Sequence, residues 1–187
     1  MSRALEVLLA AAALAVLWPL LVALALAVRW SSSGPVLFAQ LRLGRHGRTF
    51  LLYKFRSMFY GAPDLRNADG SACTPGDDPR ITPLGRWLRR TSLDELPQLL
   101  NVLRGEMALV GPRPDLADQL RYYSPEDRRK LEVRPGLTGL AQISGRNNIS
   151  WQERKALDVE YVLRRSLGLD LAILGRTIPY VLLRRDV

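Results

Sequence analysis

The run from Val7 to Val28, VLLAAAALAVLWPLLVALALAV, carries no charge. At a helical rise of ~1.5 Å per residue it is long enough to reach across the ~30 Å hydrocarbon core of a bilayer. Arg3 and Glu6 precede it, and Arg29-Trp30 closes it with an interfacial pair. The cations that follow, Arg42, Arg45, Arg48, Lys54 and Arg56, put the rest of the chain on the cytoplasmic side. Three arrangements suit such a run. Ala25-Leu26-Ala27 resembles a signal cleavage site, but the run exceeds the ~7–15 apolar residues of a signal peptide. A straight transmembrane helix is what hydropathy alone favours. A helix that breaks and re-enters the same leaflet is invited by Pro19, which removes a backbone donor mid-run. Residue physics leaves the last two open, and either anchors the protein.

The chain has 187 residues and a formal net charge of +9. That length suits a membrane segment over residues 1–30 and one catalytic-sized unit over 31–187. The charge calls for an anionic partner: nucleic acid, anionic lipid or a phosphorylated substrate. Cys73 and His46 are each the sole residue of their type, which excludes an internal disulfide framework and a His/Cys metal cage. Any metal must be a hard cation on oxygen ligands, Mg²⁺ above all. A nucleic-acid binder would interleave its cations with stacking aromatics, whereas Trp30, Trp87 and Trp151 read as interfacial residues.

Patterning predicts a mostly helical α+β chain. Two strands flank a Gly44…Gly47 turn, and alternation in the second places Lys54 and Arg56 on one side, two cations able to grip one phosphate. Tyr60–Pro79 reads as a surface loop in which Asp77-Asp78 is turn chemistry. Ile81–Arg90 reads as an amphipathic helix, with Trp87 and the leucines opposite Arg86, Arg89 and Arg90. Then comes TSLDELPQLLNVL, where Ser92 and Glu95 match a capping box and Pro97 suits a first turn. Asp94-Glu95 can be helix N-terminal charges and nothing more. The same placement among arginines depresses a carboxylate's pKa, leaving Asp94 ionised and able to bind Mg²⁺ or attack phosphorus. Gly105 ends that helix, Ala108–Val110 forms a strand, and Pro112 and Pro114 stiffen the backbone around Arg113. Asp115–Leu131 reads as a polar helix. The glycines at 136, 139 and 145 suit a loop wrapped around a phosphate, although no P-loop or dinucleotide fingerprint is matched. From Trp151 onward the chain reads as basic amphipathic helix at the membrane surface.

TSLDELPQLLNVLRGEMALVGPRP resembles the bacterial sugar transferases of the monotopic phosphoglycosyl transferase superfamily. GPVLFAQLRLGRHGRTFLLYKFRSM, DPRITPLGRWLRR, RPGLTGLAQISGRN and SLGLDLAILGRTI resemble them too, in the same order and over essentially the whole chain. The resemblance implies a re-entrant helix broken at Pro19, with amphipathic helices seating the domain at the cytoplasmic face of the bacterial plasma membrane. Trp18 stands where such proteins often carry a serine. It also implies transfer of a sugar-1-phosphate from a nucleoside diphosphate sugar, of the UDP kind, to polyprenyl phosphate. Asp94 would be the nucleophile and a Mg²⁺ ligand, and Glu95 would position the metal or the lipid phosphate. Lys54, Arg56, Arg89 and Arg113 would clamp phosphates, with Arg134 and Gln142 as further substrate contacts. The competing enzyme is a Mg²⁺-dependent pyrophosphohydrolase of nucleotide sugars that uses water as acceptor.

Overall fold

The computed structural model describes residues 1–67, 69–73, 77–145 and 149–182. Parts of the expected surface loop (68, 74–76), of the glycine-rich segment (146–148) and of the basic closing helix (183–187) lie outside the described residues. The elements run α1 (Arg3–Ser31), β1 (Leu37–Leu43), β2 (Thr49–Phe55), α2 (Pro83–Thr91), α3 (Gln98–Arg104), β3 (Ala108–Val110), β4 (Gly136–Thr138), α4 (Leu140–Ser144), α5 (Trp151–Arg164) and α6 (Leu167–Leu182). This is the expected α+β mixture: β1 and β2 form an antiparallel hairpin, and β3 and β4 a short parallel pair.

The apolar run folds as one helix of 29 residues that continues through Pro19. It is the one helix among the described residues long and apolar enough to cross a membrane. Both of its ends are seated on the same body. At the N-terminal end, Ala10 is wholly buried in a core with Tyr161 and Ile173. There Glu6 is also buried and accepts from Arg134 Nη2 at 3.0 Å, while Arg3 donates to the Leu103 carbonyl at 3.1 Å. At the C-terminal end, Leu24 and Val28 pack against Phe55 and Leu88. Between them Val16 and Trp18 are left bare, 76% and 61% exposed.

Arg56 belongs to this seating and not to a phosphate site. β2 stops at Phe55, so the strand alternation that paired Arg56 with Lys54 no longer applies. The guanidinium turns to the open end of α1. It donates to the carbonyls of Val28 at 3.1 Å and Ser32 at 2.7 Å, to Ser32 Oγ at 3.0 Å, and to the carbonyl of Pro35. It thereby satisfies carbonyls that a helix C-terminus leaves without partners. Arg134 is likewise drawn away from the acidic pair, to Glu6.

Three further expectations change for local reasons. The segment Asp115–Leu131 is not one α-helix but two 3₁₀ turns, Ala117–Tyr122 and Asp127–Glu132. The first turn ends where Tyr123 turns extended (φ −82°, ψ 127°), and Pro125 disfavours helical backbone at Ser124 just after it. The glycines are used for contact between backbones. A Cβ on Gly136 would stand 2.0 Å from the Gly111 nitrogen, and one on Gly139 would stand 2.1 Å from the Gly111 oxygen. They let β4 close on the loop after β3, and no phosphate cradle is needed to explain them. Trp151 is buried, 7% exposed, edge-on to Tyr122 with ring centroids 6.2 Å apart, so it is a core residue and not an interfacial one.

Candidate active site

The acidic pair sits on a 3₁₀ turn, Leu93–Glu95, between α2 and α3. Thr82 caps α2 by accepting from the Gly85 nitrogen at 2.9 Å. Gly85 is pressed so closely on the chain after β2 that a Cβ would meet the Ser57 oxygen at 1.9 Å. This contact places Arg89, whose Nε donates to Ser57 Oγ at 2.8 Å. α2 then ends with Ser92 in the left-handed region (φ 56°, ψ 15°), which swings Asp94 and Glu95 back over the hairpin. The expected capping box does not form: Ser92 makes no side-chain cap, and α3 starts only at Gln98, with Pro97 at its cap position. With Ser92 as N-cap, Pro97 would be the fifth helical residue, where an N–H must bond the Leu93 carbonyl and proline has none.

Asn101 on α3 fixes this turn against β2. It is wholly buried; its Oδ1 accepts from the Tyr53 nitrogen at 3.2 Å, and its Nδ2 donates to the Leu51 carbonyl at 2.7 Å. Its amide thus takes the place of a neighbouring strand on β2. Sequence reasoning passed over it; the signal was an amide among the leucines of LPQLLNVL.

Asp94 and Glu95 are 5% and 8% exposed. Lys54 Nζ lies 2.7 Å from Glu95 Oε1, and Arg113 reaches the same carboxylate from the other side, Nη2 to Oε1 at 2.8 Å. Burial alone would raise the Glu95 carboxyl, but Arg113 and Lys54 outweigh it and hold it well below the usual carboxylate range. Glu95 in turn raises Arg113 against its burial, whereas burial dominates at Lys54 and lowers it.

Asp94 is treated differently. Its Oδ1 is buried and has no hydrogen-bond partner. Burial, helped by the like charge of Glu95, raises its pKa to about 6 against the pull of Lys54, Arg89 and Arg113. The expected depression is therefore reversed, because the turn removes the carboxylate from water and gives the nearest cations to Glu95. Asp94 is still mostly ionised at pH 7, and its free oxygen is poorly solvated, as a nucleophile requires.

Arg113 is held by more than its two prolines. Its backbone N–H points to Asp158 Oδ1 at 3.4 Å, and Lys130 bridges Asp158 at 2.8 Å and Asp115 at 2.7 Å. Lys130 and Asp158 are buried and Asp115 partly so, in segments expected to form a polar helix and a basic helix at the membrane surface. Gln142 does not touch the acidic pair; it lines a cleft on which Arg113 also borders. The structure thus groups Lys54, Arg89, Asp94, Glu95 and Arg113, and separates off Arg56, Arg134 and Gln142.

Among the described residues no three carboxylate, imidazole or thiol groups converge as a metal cage. The donors present still fit Mg²⁺, which keeps several waters and commonly takes one or two carboxylates plus substrate phosphates. Asp94 Oδ1 is a hard oxygen with no hydrogen-bond partner.

A profile of the family described as Bacterial sugar transferase matches residues 1–184. The chain belongs to the bacterial sugar transferase family. The transferase is 49% identical to the uncharacterized sugar transferase EpsL of Bacillus subtilis over 86% of its own length and 76% of that protein. It is 43% identical to the exopolysaccharide production protein ExoY of Sinorhizobium fredii, over 98% and 86%. It is 45% identical to the UDP-glucose:undecaprenyl-phosphate glucose-1-phosphate transferase of Caulobacter vibrioides, over 97% and 69%. The family match takes in α1 as well as the acidic pair.

Proposed function

We propose that the protein transfers a sugar-1-phosphate from a UDP-linked sugar to polyprenyl phosphate through a covalent phosphosugar on Asp94. The observation that carries this reading is the buried, unpartnered Asp94 Oδ1 beside Lys54, Arg89 and Arg113. Asp94 Oδ1 attacks the phosphorus that bears the sugar. The bond from that phosphorus to the bridging oxygen breaks, and the nucleoside monophosphate departs with the electron pair. An oxygen of polyprenyl phosphate then attacks the same phosphorus and displaces the Asp94 carboxylate. Arg113 and Arg89 stabilise charge on the phosphates. Glu95 holds Lys54 and Arg113 in place. Mg²⁺, held by Asp94 and the substrate phosphates, would neutralise diphosphate charge.

A water-soluble donor and a lipid acceptor can share one site only at an interface, and α1 supplies the anchor. Both ends of α1 seated on one body, with the middle bare, favour a helix bent at Pro19 that enters and leaves the cytoplasmic leaflet. Leu167, Leu171 and Ile178, exposed on α6 among Arg164, Arg165 and Arg176, suit lipid contact on that side.

Two experiments test these points. With a UDP-sugar alone the enzyme should release one UMP per protein, and adding polyprenyl phosphate should make release continuous. Continuous release without lipid would favour the hydrolase. In a Cys73→Ser background, cysteines placed at Ser2 and Tyr60 should both be shielded from a membrane-impermeant thiol reagent in intact cells. Labelling at position 2 alone would mean a true span.

A further inference from the structure

A cleft of about 30 Å³ opens beside Arg113, bordered by neither Asp94 nor Glu95. Most of its charges are matched: Lys130 holds Asp115 and Asp158, and Lys155 holds Asp127 at 2.6 Å and lies over the Trp151 ring. Two lining side chains are not. Gln142 is 8% exposed, yet neither its Oε1 nor its Nε2 has a hydrogen-bond partner. Arg154 Nε is also buried without one, and Arg154 makes no ion pair among the described residues. A buried amide with both ends unused and a partly desolvated guanidinium without a close ion pair are costly unless something occupies the cleft.

The two groups ask for different chemistry. A guanidinium takes phosphate oxygens, whereas a primary amide offers one acceptor and two donors to a neutral polar group such as a ribose hydroxyl or a pyrimidine imide. A nucleoside monophosphate presents both, one after the other. A lipid phosphate presents the anion followed by hydrocarbon and would leave Gln142 unsatisfied. We infer that the Gln142–Arg154 cleft takes a polar edge of the nucleoside monophosphate half of the donor, the half that departs, while the sugar-bearing phosphate lies at Asp94. Arg113 borders both places and spans the bond that breaks. The inference rests on the transfer reaction proposed above and assigns a binding role to Arg154, a residue outside the catalytic turn.

The test uses the full chain in detergent or nanodiscs, with UMP as probe. Arg154→Met and Gln142→Leu should each weaken inhibition by UMP about tenfold and raise the KM for the UDP-sugar by the same factor. The KM for polyprenyl phosphate and the rate at saturation should stay as in the parent. Gln142→Glu, nearly the same size, should bind UMP more weakly still, because its carboxylate repels the phosphate. Unfolding midpoints show which variants are intact, and Arg154→Lys should recover part of the UMP affinity. Unchanged UMP inhibition in the folded variants, or a shift in the lipid KM in its place, would overturn the assignment. Continuous UMP release by the parent enzyme without lipid would count against transfer, but leaves UMP binding at the cleft measurable by itself.

Discussion

Replacing Asp94 by asparagine should stop transfer and make the protein more stable. An amide is no nucleophile, so phosphosugar–enzyme formation should fall at least about 10³-fold. The stability gain follows from the burial of the carboxylate. With its pKa raised to about 6, ionised Asp94 disfavours the folded state, a cost of about 1–3 kcal/mol that asparagine does not carry. The sign fixes a pH window. The raised pKa favours folding fully below the unfolded carboxylate value, near pH 4, and this advantage is lost as pH rises through about 6. The variant's gain should therefore be complete at pH 7, shrink toward pH 5 and vanish near pH 4. The same protonation should switch off the parent's donor half-reaction as pH falls through about 6. Urea titrations across that range, with single-turnover UMP release, provide the check. A less stable Asp94→Asn at pH 7, or one that keeps appreciable turnover, would sink the assignment of Asp94 as a buried nucleophile.

Replacing Glu95 by alanine should do the opposite to stability. Lys54 and Arg113 would keep their partly buried positions and lose the carboxylate they share. Breaking such a pair from one side costs more than the pair's net worth, about 2–4 kcal/mol with Arg113 still partly in water, because the remaining charges stay partly desolvated. For a chain of this size that is a fall in Tm of roughly 10 °C. Activity should drop as well, since Arg113 is no longer aimed. Adding Lys54→Met to Glu95→Leu should restore part of the stability without restoring activity, because one stranded cation is removed with its partner. Thermal unfolding of the three proteins decides it: a Glu95→Ala protein as stable as its parent would show that the three charges do not form the unit described here.

The contrast between these neighbours shows where the sequence was readable. Periodicity and punctuation located α1, the β1–β2 hairpin, α2 and the Gly105 stop. Each depends on interactions within a few residues, or on a solvent that every residue in the run meets alike. The motif around Asp94-Glu95 was legible for the same reason. The capping box was misread because its Ser-x-x-Glu pattern is local, whereas the chain turn that displaced it answers to Pro97 and to the packing of Gly85 on Ser57. Arg56, Arg113 and Arg134 look alike in the sequence as single arginines within motif segments. Which of them faces a phosphate depends on whether it meets the α1 carbonyls, Glu95 or Glu6.

By itself, then, the sequence determined that this chain is a basic α+β protein with one long apolar helix and two adjacent carboxylates among cations, because charge, hydropathy and turn chemistry are properties of short stretches. The tertiary structure decided how those carboxylates divide their work. Glu95 received both close cations and became the support, while Asp94 was left buried with one oxygen free and its pKa raised. That division is set by contacts between residues far apart in the chain, Arg113 with Glu95 at 18 positions and Lys54 with Glu95 at 41. No local pattern encodes them.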